Sequence, residues 1–174
     1  NYVYTITDAY GCSTQASILV SEPTLLTATA TAPAILCNGG NVSVTVAGNG
    51  GTLPYSGAGT FSVNAGNYNY TVTDANGCST QASILVSEPT LLTASATAPA
   101  ILCNGGNVNV TVSGNGGVAP YTGTGTFQVV SGNYNYTVTD ANGCTTQASI
   151  AISQPTVLTA SATAPSILCN GGNV

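Results

Sequence analysis

The 174-residue chain contains no Lys, no Arg and no His. Without cationic side chains it cannot neutralise phosphates, which excludes nucleic acid as an expected partner. The electrostatic route to anionic membranes is closed for the same reason. The usual general bases are missing, and a Cys–His nucleophile cannot be assembled. Trypsin-like proteases find nothing to cut. Lys–Asn isopeptide bonds cannot form, so covalent reinforcement has to come from cysteine. Negative charge is scarce too, limited to Asp8, Glu22, Asp74, Glu88 and Asp140. These acids are far apart in sequence and on different turns, whereas paired-carboxylate chemistry needs two within about 5 to 10 Å. No enzymatic activity is expected. No run is long and apolar enough to span a bilayer, so no direct membrane insertion is expected. Low charge alone would suit disorder, but disorder also needs low hydrophobicity. Here 43% of residues are apolar and they alternate strictly with Thr, Ser and Asn. A folded domain with a nearly neutral polar surface is expected.

What is present is repetition. The stretch N-Y-N-Y-T-V-T-D-A-N-G-C at Asn67–Cys78 recurs unchanged at Asn133 and as N-Y-V-Y-T-I-T-D-A-Y-G-C at Asn1, 66 residues apart each time. Residues 1–66 and 67–132 differ at only 13 positions. A repeat this regular settles the architecture before any site is considered. Taking the Ser21-Glu22-Pro23-Thr24 junction as a boundary divides the chain into four segments. Residues 1–22 are the final hairpin of one repeat, 23–88 and 89–154 are complete repeats, and 155–174 begin another. The expectation is a window on a longer array.

Within a repeat the period is two. Tyr68, Tyr70 and Val72 alternate with Asn69, Thr71 and Thr73, which places the two sets on opposite faces of a strand. Asn76-Gly77, like Asn142-Gly143 one repeat later, is a strong hairpin signal, because both residue types tolerate positive φ. The returning strand leaves at once, through Cys78, Thr80, Gln81, Ala82, Ser83, Ile84, Leu85 and Val86. Upstream, Leu26, Ala28 and Ala30 mark a first strand ended by Pro33, which suits a sheet edge. Val42, Val44 and Val46 mark a second, central strand. Pro54-Tyr55 opens a third, and Phe61 and Val63 a fourth. Six or seven short strands without helical periodicity predict a Greek-key β-sandwich. The expected core is Val42, Val44, Val46, Tyr68, Tyr70, Val72 and Ile84, with Val108, Val110, Val112, Tyr134, Tyr136, Val138 and Ile150 in the next repeat. Tyr68 or Tyr70 stands where such sandwiches place a tyrosine corner, although either also serves as an ordinary core aromatic.

The run I-L-C-N-G-G-N-V-N-V-T-V-S-G, a following Pro-Tyr pair, N-Y-N-Y-T-V-T-D-A-N-G-C and S-I-A-I-S-Q-P-T together resemble the SprB-type repeat. That family builds long cell-surface adhesins of gliding and related Bacteroidota. The resemblance covers essentially the whole chain. It implies tandem immunoglobulin-like domains, export by the type IX secretion system, and a place in an extracellular filament or adhesin at the cell surface. One departure is the middle of the repeat. Tyr121–Phe127 is a short Gly- and Thr-rich run where the family has a longer, Trp-bearing third strand, so no family ligand contact carries over there.

Six cysteines, at 12, 37, 78, 103, 144 and 169, alternate gaps of 25 and 41 residues. Two per repeat in a small all-β unit reads as a disulfide framework and an oxidising compartment; free buried thiols are the plainer alternative. Loop entropy does not choose among partners, being worth roughly 3.5 to 5 kcal/mol for every pairing. In an immunoglobulin-like sandwich the turn bearing Cys37 and the hairpin tip bearing Cys78 lie at opposite ends. A seven-residue strand is about 23 Å long, whereas a disulfide needs Cα atoms within about 7 Å. In a head-to-tail array Cys37 instead faces Cys144, and Cys12, Cys78, Cys103 and Cys169 pair with neighbouring repeats. The competing assignment, Cys37–Cys78 with Cys103–Cys144, requires a different strand order.

Other chemistry is sparse. No cofactor is expected. Asp74, Asn76, Asn38 and Asn41 offer oxygens to calcium, but one carboxylate per site is poor against the several that calcium prefers, and Asp74 capping its own turn is the simpler reading. The triplets at Asn41, Asn69 and Asn135 match glycosylation acceptors, as Asn-rich strands do by chance. Tyr55 beside the glycines at 57 and 59 has the chemistry of a glycan-binding ridge, and equally that of a core aromatic. The expected partners are neighbouring repeats of the same chain, other copies of it, and surface glycans.

Overall fold

The structure, a computed structural model, describes residues 1–166 and 169–170. Among these residues there are twelve antiparallel strands and no helix. Two compact units emerge: Asn1–Ile35 with Gly39–Glu88, and Leu36–Asn38 with Pro89–Val174. The segment Leu36–Asn38 thus belongs to the second unit although it precedes most of the first in sequence. The part of the 155–174 segment that spans positions 167, 168 and 171–174 lies outside the described residues; positions 153–166 form no regular strand.

The first unit opens with a hairpin of β1 (Tyr2–Thr7) and β2 (Ser13–Ile18). A three-stranded sheet follows, in which β4 (Val42–Asn49) lies between β3 (Thr27–Thr31) and β5 (Gly59–Val63). A second hairpin joins β6 (Gly66–Thr73) to β7 (Ser79–Val86). The second unit repeats this order. Its three-stranded sheet has β9 (Val108–Asn115) between β8 (Thr93–Thr97) and β10 (Gly125–Val129), and its hairpin pairs β11 (Gly132–Thr139) with β12 (Thr145–Ile152). Each repeat is therefore a two-layered β arrangement of three strands against two, with β3 alongside β7 and β8 alongside β12.

Alternation sets the layers. In β4, Val44 and Val46 are buried while Ser43 and Thr45 are exposed. Ile35, Val44 and Val46 from the sheet side meet Val72 and Val86 from the hairpin, and Ala28, Ala30, Tyr55 and Tyr68 pack around them. In the second unit Ile101, Val108, Val110, Val112, Val138 and Ile152 make the same seam. Each such burial is worth about 1.5–3 kcal/mol. The first hairpin shows what the opposing sheet contributes. Ile6 occupies the repeat position of Val72 but is 65% exposed, where Val72 is fully buried. All of β1 and β2 is exposed.

Three expectations need correction. The third strand predicted at Pro54-Tyr55 is a loop. Gly57 takes φ +80°, and a single bridge from Ser56 to Thr73 is the pairing made there. A lone bridge cannot propagate a ladder through residues with such backbone angles, so each complete repeat has five strands. The Asn76-Gly77 turn is not a two-residue turn with both residues at positive φ. Only Gly77, at φ +87°, is left-handed, and the loop runs from Asp74 to Cys78. The residues Val42, Tyr68, Tyr70, Ile84, Tyr134, Tyr136 and Ile150, expected in the core, are half-buried rather than fully enclosed and pack around the buried valines and isoleucines.

The tyrosines divide by role. Tyr68 and Tyr134 donate their hydroxyls to the carbonyls of Asn64 and Val130, at 3.1 Å in each case. A bond back to the backbone a few residues upstream is that of a tyrosine corner. Tyr70 and Tyr136 stack on Phe61 and Phe127, at 4.8 and 4.9 Å between centroids, and their enclosed hydroxyls have no hydrogen-bond partner. Losing a made hydrogen bond costs about 1 kcal/mol, whereas removing an unsatisfied buried hydroxyl is neutral or stabilising. Urea melts should show Tyr134→Phe destabilised by about 1 kcal/mol and Tyr136→Phe at least as stable as the parent.

Candidate functional site: the clamped cysteine hairpin

The hairpin tip Asp140–Cys144 is built around one carboxylate. Asp140 is only 5% exposed. Its Oδ1 accepts the N–H groups of Asn142 and Cys144, both at 2.9 Å, and its Oδ2 accepts that of Val118 at 2.9 Å. The Asp140 N–H donates to the Cys144 carbonyl at 3.0 Å, and Gly143 donates back to the Asp140 carbonyl at 3.1 Å. Gly143 lies at φ +84°, the left-handed region glycine enters without a Cβ penalty. The loop tucked beneath, carrying Val118, is just as constrained. A Cβ on Gly117, at φ +56°, would lie 2.5 Å from Asp140 Oδ2, so only glycine allows the loop to reach the acid.

The first unit repeats the arrangement at Asp74, whose Oδ1 accepts Asn76 and Cys78 and whose Oδ2 accepts Thr52. Asp8 holds Tyr10 and Cys12 in the same way. Burial raises the Asp140 carboxyl and is the largest single influence on it. The N–H groups of Val118, Cys144, Asn142 and Gly143 together outweigh that influence and hold the carboxyl below its ordinary value. Asp74 is held down in the same manner, with Thr52 in the place of Val118.

These bonds also bear on the calcium reading. The Asp74 and Asp140 oxygens face N–H donors, which present positive dipoles where a cation would sit. Among the described residues no three His, Cys, Asp or Glu side chains converge as metal ligands. Tyr55, weighed as a glycan contact, packs on the core and donates its hydroxyl to the Gly50 carbonyl at 2.5 Å.

Cys144 sits at the end of this clamp, and its sulfur is bonded to Cys37, with Cα atoms 5.7 Å apart and 107 residues of separation. Both cysteines belong to the second unit. Asn142 Nδ2 donates to the Leu36 carbonyl at 2.9 Å and seats the incoming segment. Asn38 Nδ2 donates to the Pro89 carbonyl at 3.0 Å. The repeat-equivalent turn is held alike: Asn104 Nδ2 donates to the Pro155 carbonyl at 3.0 Å and Gly105 N–H to Gln154 Oε1 at 2.8 Å.

These contacts explain why the competing pairs, Cys37–Cys78 and Cys103–Cys144, do not form. The Cys103 turn is tied to Gln154 and Pro155, just beyond the end of β12, whereas Cys144 lies just before its start. Eight residues of strand span roughly 26 Å, far beyond disulfide reach. In the first unit Gly39 N–H likewise bonds Glu88 Oε2 at 2.6 Å, past the end of β7, with Cys78 before its start. Among the described residues Cys12, Cys78, Cys103 and Cys169 are exposed and bond no other cysteine. Sequence reasoning missed the Asp-to-loop bond across the hairpin, the Asn38/Asn104 anchor and the Glu88/Gln154 anchor. The recurrence of Glu or Gln before Pro after each hairpin was the available signal.

Comparison with protein-family models and with curated proteins finds no match. Among the described residues no helix is long and apolar enough to cross a membrane.

Two outcomes follow. Because the folded carboxyls of Asp74 and Asp140 sit below their ordinary value of 3.8, the stability they confer is complete above that pH and is lost as pH falls through the lowered folded values. Acid titration followed by circular dichroism should show this fall, and Asp140→Asn should flatten its share while lowering stability at neutral pH. Cys144→Ser should destabilise the second unit by about 2–5 kcal/mol, read by denaturant melts against the oxidised parent.

Proposed function

We propose that this chain is a structural segment of an extracellular, cell-surface adhesin or filament, in which tandem immunoglobulin-like sandwiches form a protease-resistant, disulfide-braced stalk. The observation that carries the reading is the Cys37–Cys144 bond, which links cysteines from successive sequence repeats. Persistent disulfides belong to oxidising compartments. A small unit of this kind has little core to spare, and a covalent brace offsets that shortage. The absence of Lys and Arg removes tryptic sites, and the five-stranded body repeats with its clamps nearly unchanged. The resemblance of the I-L-C-N-G-G and D-A-N-G-C blocks to SprB-type repeats supports the same reading. With it come type IX secretion, a Bacteroidota source and a link to gliding.

A second reading is self-association into a multi-chain filament. It is favoured by sheet edges that no lysine guards. Electron micrographs separate the two. A single-chain stalk should measure about 20–25 Å across, from two sheets at roughly 10 Å spacing plus side chains; a bundle is wider. Uniform thin fibres that lose thermal stability on reduction support the stalk. Globular particles, or identical melting with and without reductant, refute it.

A further inference from the structure

We propose that Asn49-Gly50 and Asn115-Gly116 are self-modifying sites, at which asparagine converts through a succinimide to aspartate and its β-linked isomer, while the fold holds the other described Asn-Gly pairs inert. The proposal is independent of the adhesin reading above.

The chain carries seven Asn-Gly pairs, six of them wholly within the described residues. The dipeptide favours this chemistry because glycine has no Cβ to shield its backbone nitrogen or restrict its peptide. Two groups have to meet, the Gly nitrogen and the Asn side-chain carbon Cγ. A hydrogen bond that ties either group elsewhere must open first.

Four pairs are tied at both groups. Asn38 Nδ2 donates to the Pro89 carbonyl at 3.0 Å, and Gly39 N–H to Glu88 Oε2 at 2.6 Å. Asn104 Nδ2 donates to the Pro155 carbonyl at 3.0 Å, and Gly105 N–H to Gln154 Oε1 at 2.8 Å. At the hairpin tips Asn76 Nδ2 donates to Thr52 Oγ1 and Asn142 Nδ2 to the Leu36 carbonyl, both at 2.9 Å. The N–H groups that follow them, of Gly77 and Gly143, donate to the Asp74 and Asp140 carbonyls at 3.1 Å.

At Asn49-Gly50 the arrangement is reversed. The Gly50 N–H donates to Asn49 Oδ1 at 3.0 Å, which puts the nucleophilic nitrogen beside the carbon that carries that oxygen. At Asn115-Gly116 neither group is tied among the described residues. Asn49 and Asn115 end the central strands β4 and β9, and both are exposed, so water and hydroxide reach them.

Hydroxide takes the Gly50 N–H proton. The nitrogen bonds to Asn49 Cγ, the Cγ–Nδ2 bond breaks, and Nδ2 leaves as ammonia with a proton from water, which restores the hydroxide. Water then opens the five-membered imide. Breaking the new N–Cγ bond gives aspartate; breaking the original peptide bond leaves the backbone running through Cβ. One water is consumed and one ammonia released, with no change of oxidation state. Each event adds a negative charge to a formal net charge of -5. The isomer also inserts a methylene where Thr27 Oγ1 meets the Asn49 carbonyl at 3.1 Å and the Tyr55 hydroxyl meets the Gly50 carbonyl, so the loop beside the core loosens in the modified repeat.

The test ages the full 174-residue chain, with Cys37–Cys144 oxidised, in mildly alkaline buffer and follows each site by peptide mass spectrometry and isoaspartate labelling. Each hydrogen bond that must open first slows conversion about fivefold, so Asn49 and Asn115 should convert about 25-fold faster than Asn38, Asn76, Asn104 and Asn142. In the reduced, urea-unfolded chain all six should convert at similar rates. Glu88→Ala should speed Asn38, and Gln154→Ala should speed Asn104, about fivefold each, whereas Glu88→Gln should leave Asn38 slow. Asn49→Gln should silence its own site and leave Asn115 unchanged. Equal rates at all six sites of the folded chain, fastest conversion at Asn76 or Asn142, or no acceleration in Glu88→Ala and Gln154→Ala would each overturn the proposal. None of these outcomes bears on the stalk reading, whose own test is the response of the Cys37–Cys144 unit to reduction.

Discussion

A carboxylate enclosed in a chain without one cationic side chain can be held only by dipoles, and the architecture of each repeat follows from how that is done. Asp140 collects N–H groups from its own hairpin and from the loop at Val118. Hydrogen bonds to an ionised acceptor are roughly twice as strong as neutral ones, so the acid fixes three things together. It closes the hairpin, it ties the loop after β9 to that hairpin, and it sets the direction of the Cys144 backbone. The disulfide is downstream of this arrangement, because the Cys144 N–H is one of the donors. The cysteine is thereby placed for bonding by an interaction that does not involve sulfur.

The valine seam depends on the same tie. Val72 and Val138 lie two residues before the acids at 74 and 140, on the strand that the loop contact draws against the three-stranded sheet. Asp8 caps the turn of the first hairpin through Tyr10 and Cys12, and β1 still pairs with β2 although no three-stranded sheet lies against Ile6 among the described residues. Sequence nearly identical to β6 and β7 forms the hairpin in both places, so local pairing is intrinsic while burial has to be supplied by the partner sheet. This is the division expected when strand propensity sets pairing and packing sets stability.

Much of this was legible in advance, for a physical reason. Period-two alternation is imposed by the pleat itself, so Val44, Val46, Val72 and their counterparts announced the buried face, and the 66-residue period fixed the array. What alternation cannot convey is how completely an inward-facing position is enclosed. Tyr68, Tyr70 and Ile84 read as core and do pack against it, but they are half-buried. Pro54-Tyr55 looked like a strand opening because an aromatic beside a turn signal is ambiguous; the neighbouring glycine angles, which decide it, leave no mark in periodicity. The Asn76-Gly77 pair suggested the tightest turn, but Asp74 competes for the N–H groups of Asn76 and Cys78 and enlarges the loop. The acid was recognised as a turn cap. Its third bond, to a residue 22 positions away, has no local signature. The anchor on the Ile-Leu-Cys-Asn turn is made by Glu88 in one repeat and Gln154 in the next, which shows that an acceptor oxygen, not a charge, is what the position requires.

The length of the covalent loop carries a mechanical consequence. The Cys37–Cys144 bond encloses 107 residues of separation, more than one 66-residue period. If each repeat of the array makes the same bond, consecutive loops overlap, the overlap being the stretch from Cys103 to Cys144. Every residue then lies inside at least one closed loop. Pulling on the ends of such a chain cannot release length by unfolding a single repeat, because the load bypasses it through sulfur. A bond confined to one repeat would leave the junctions as extensible segments, and an array braced in that way would lengthen there first. Offsetting the partners by one repeat removes that weak point without adding a residue. It works only if the two cysteines of a repeat sit at opposite ends of the last strand, which is where the turn anchors and the Asp clamp put them.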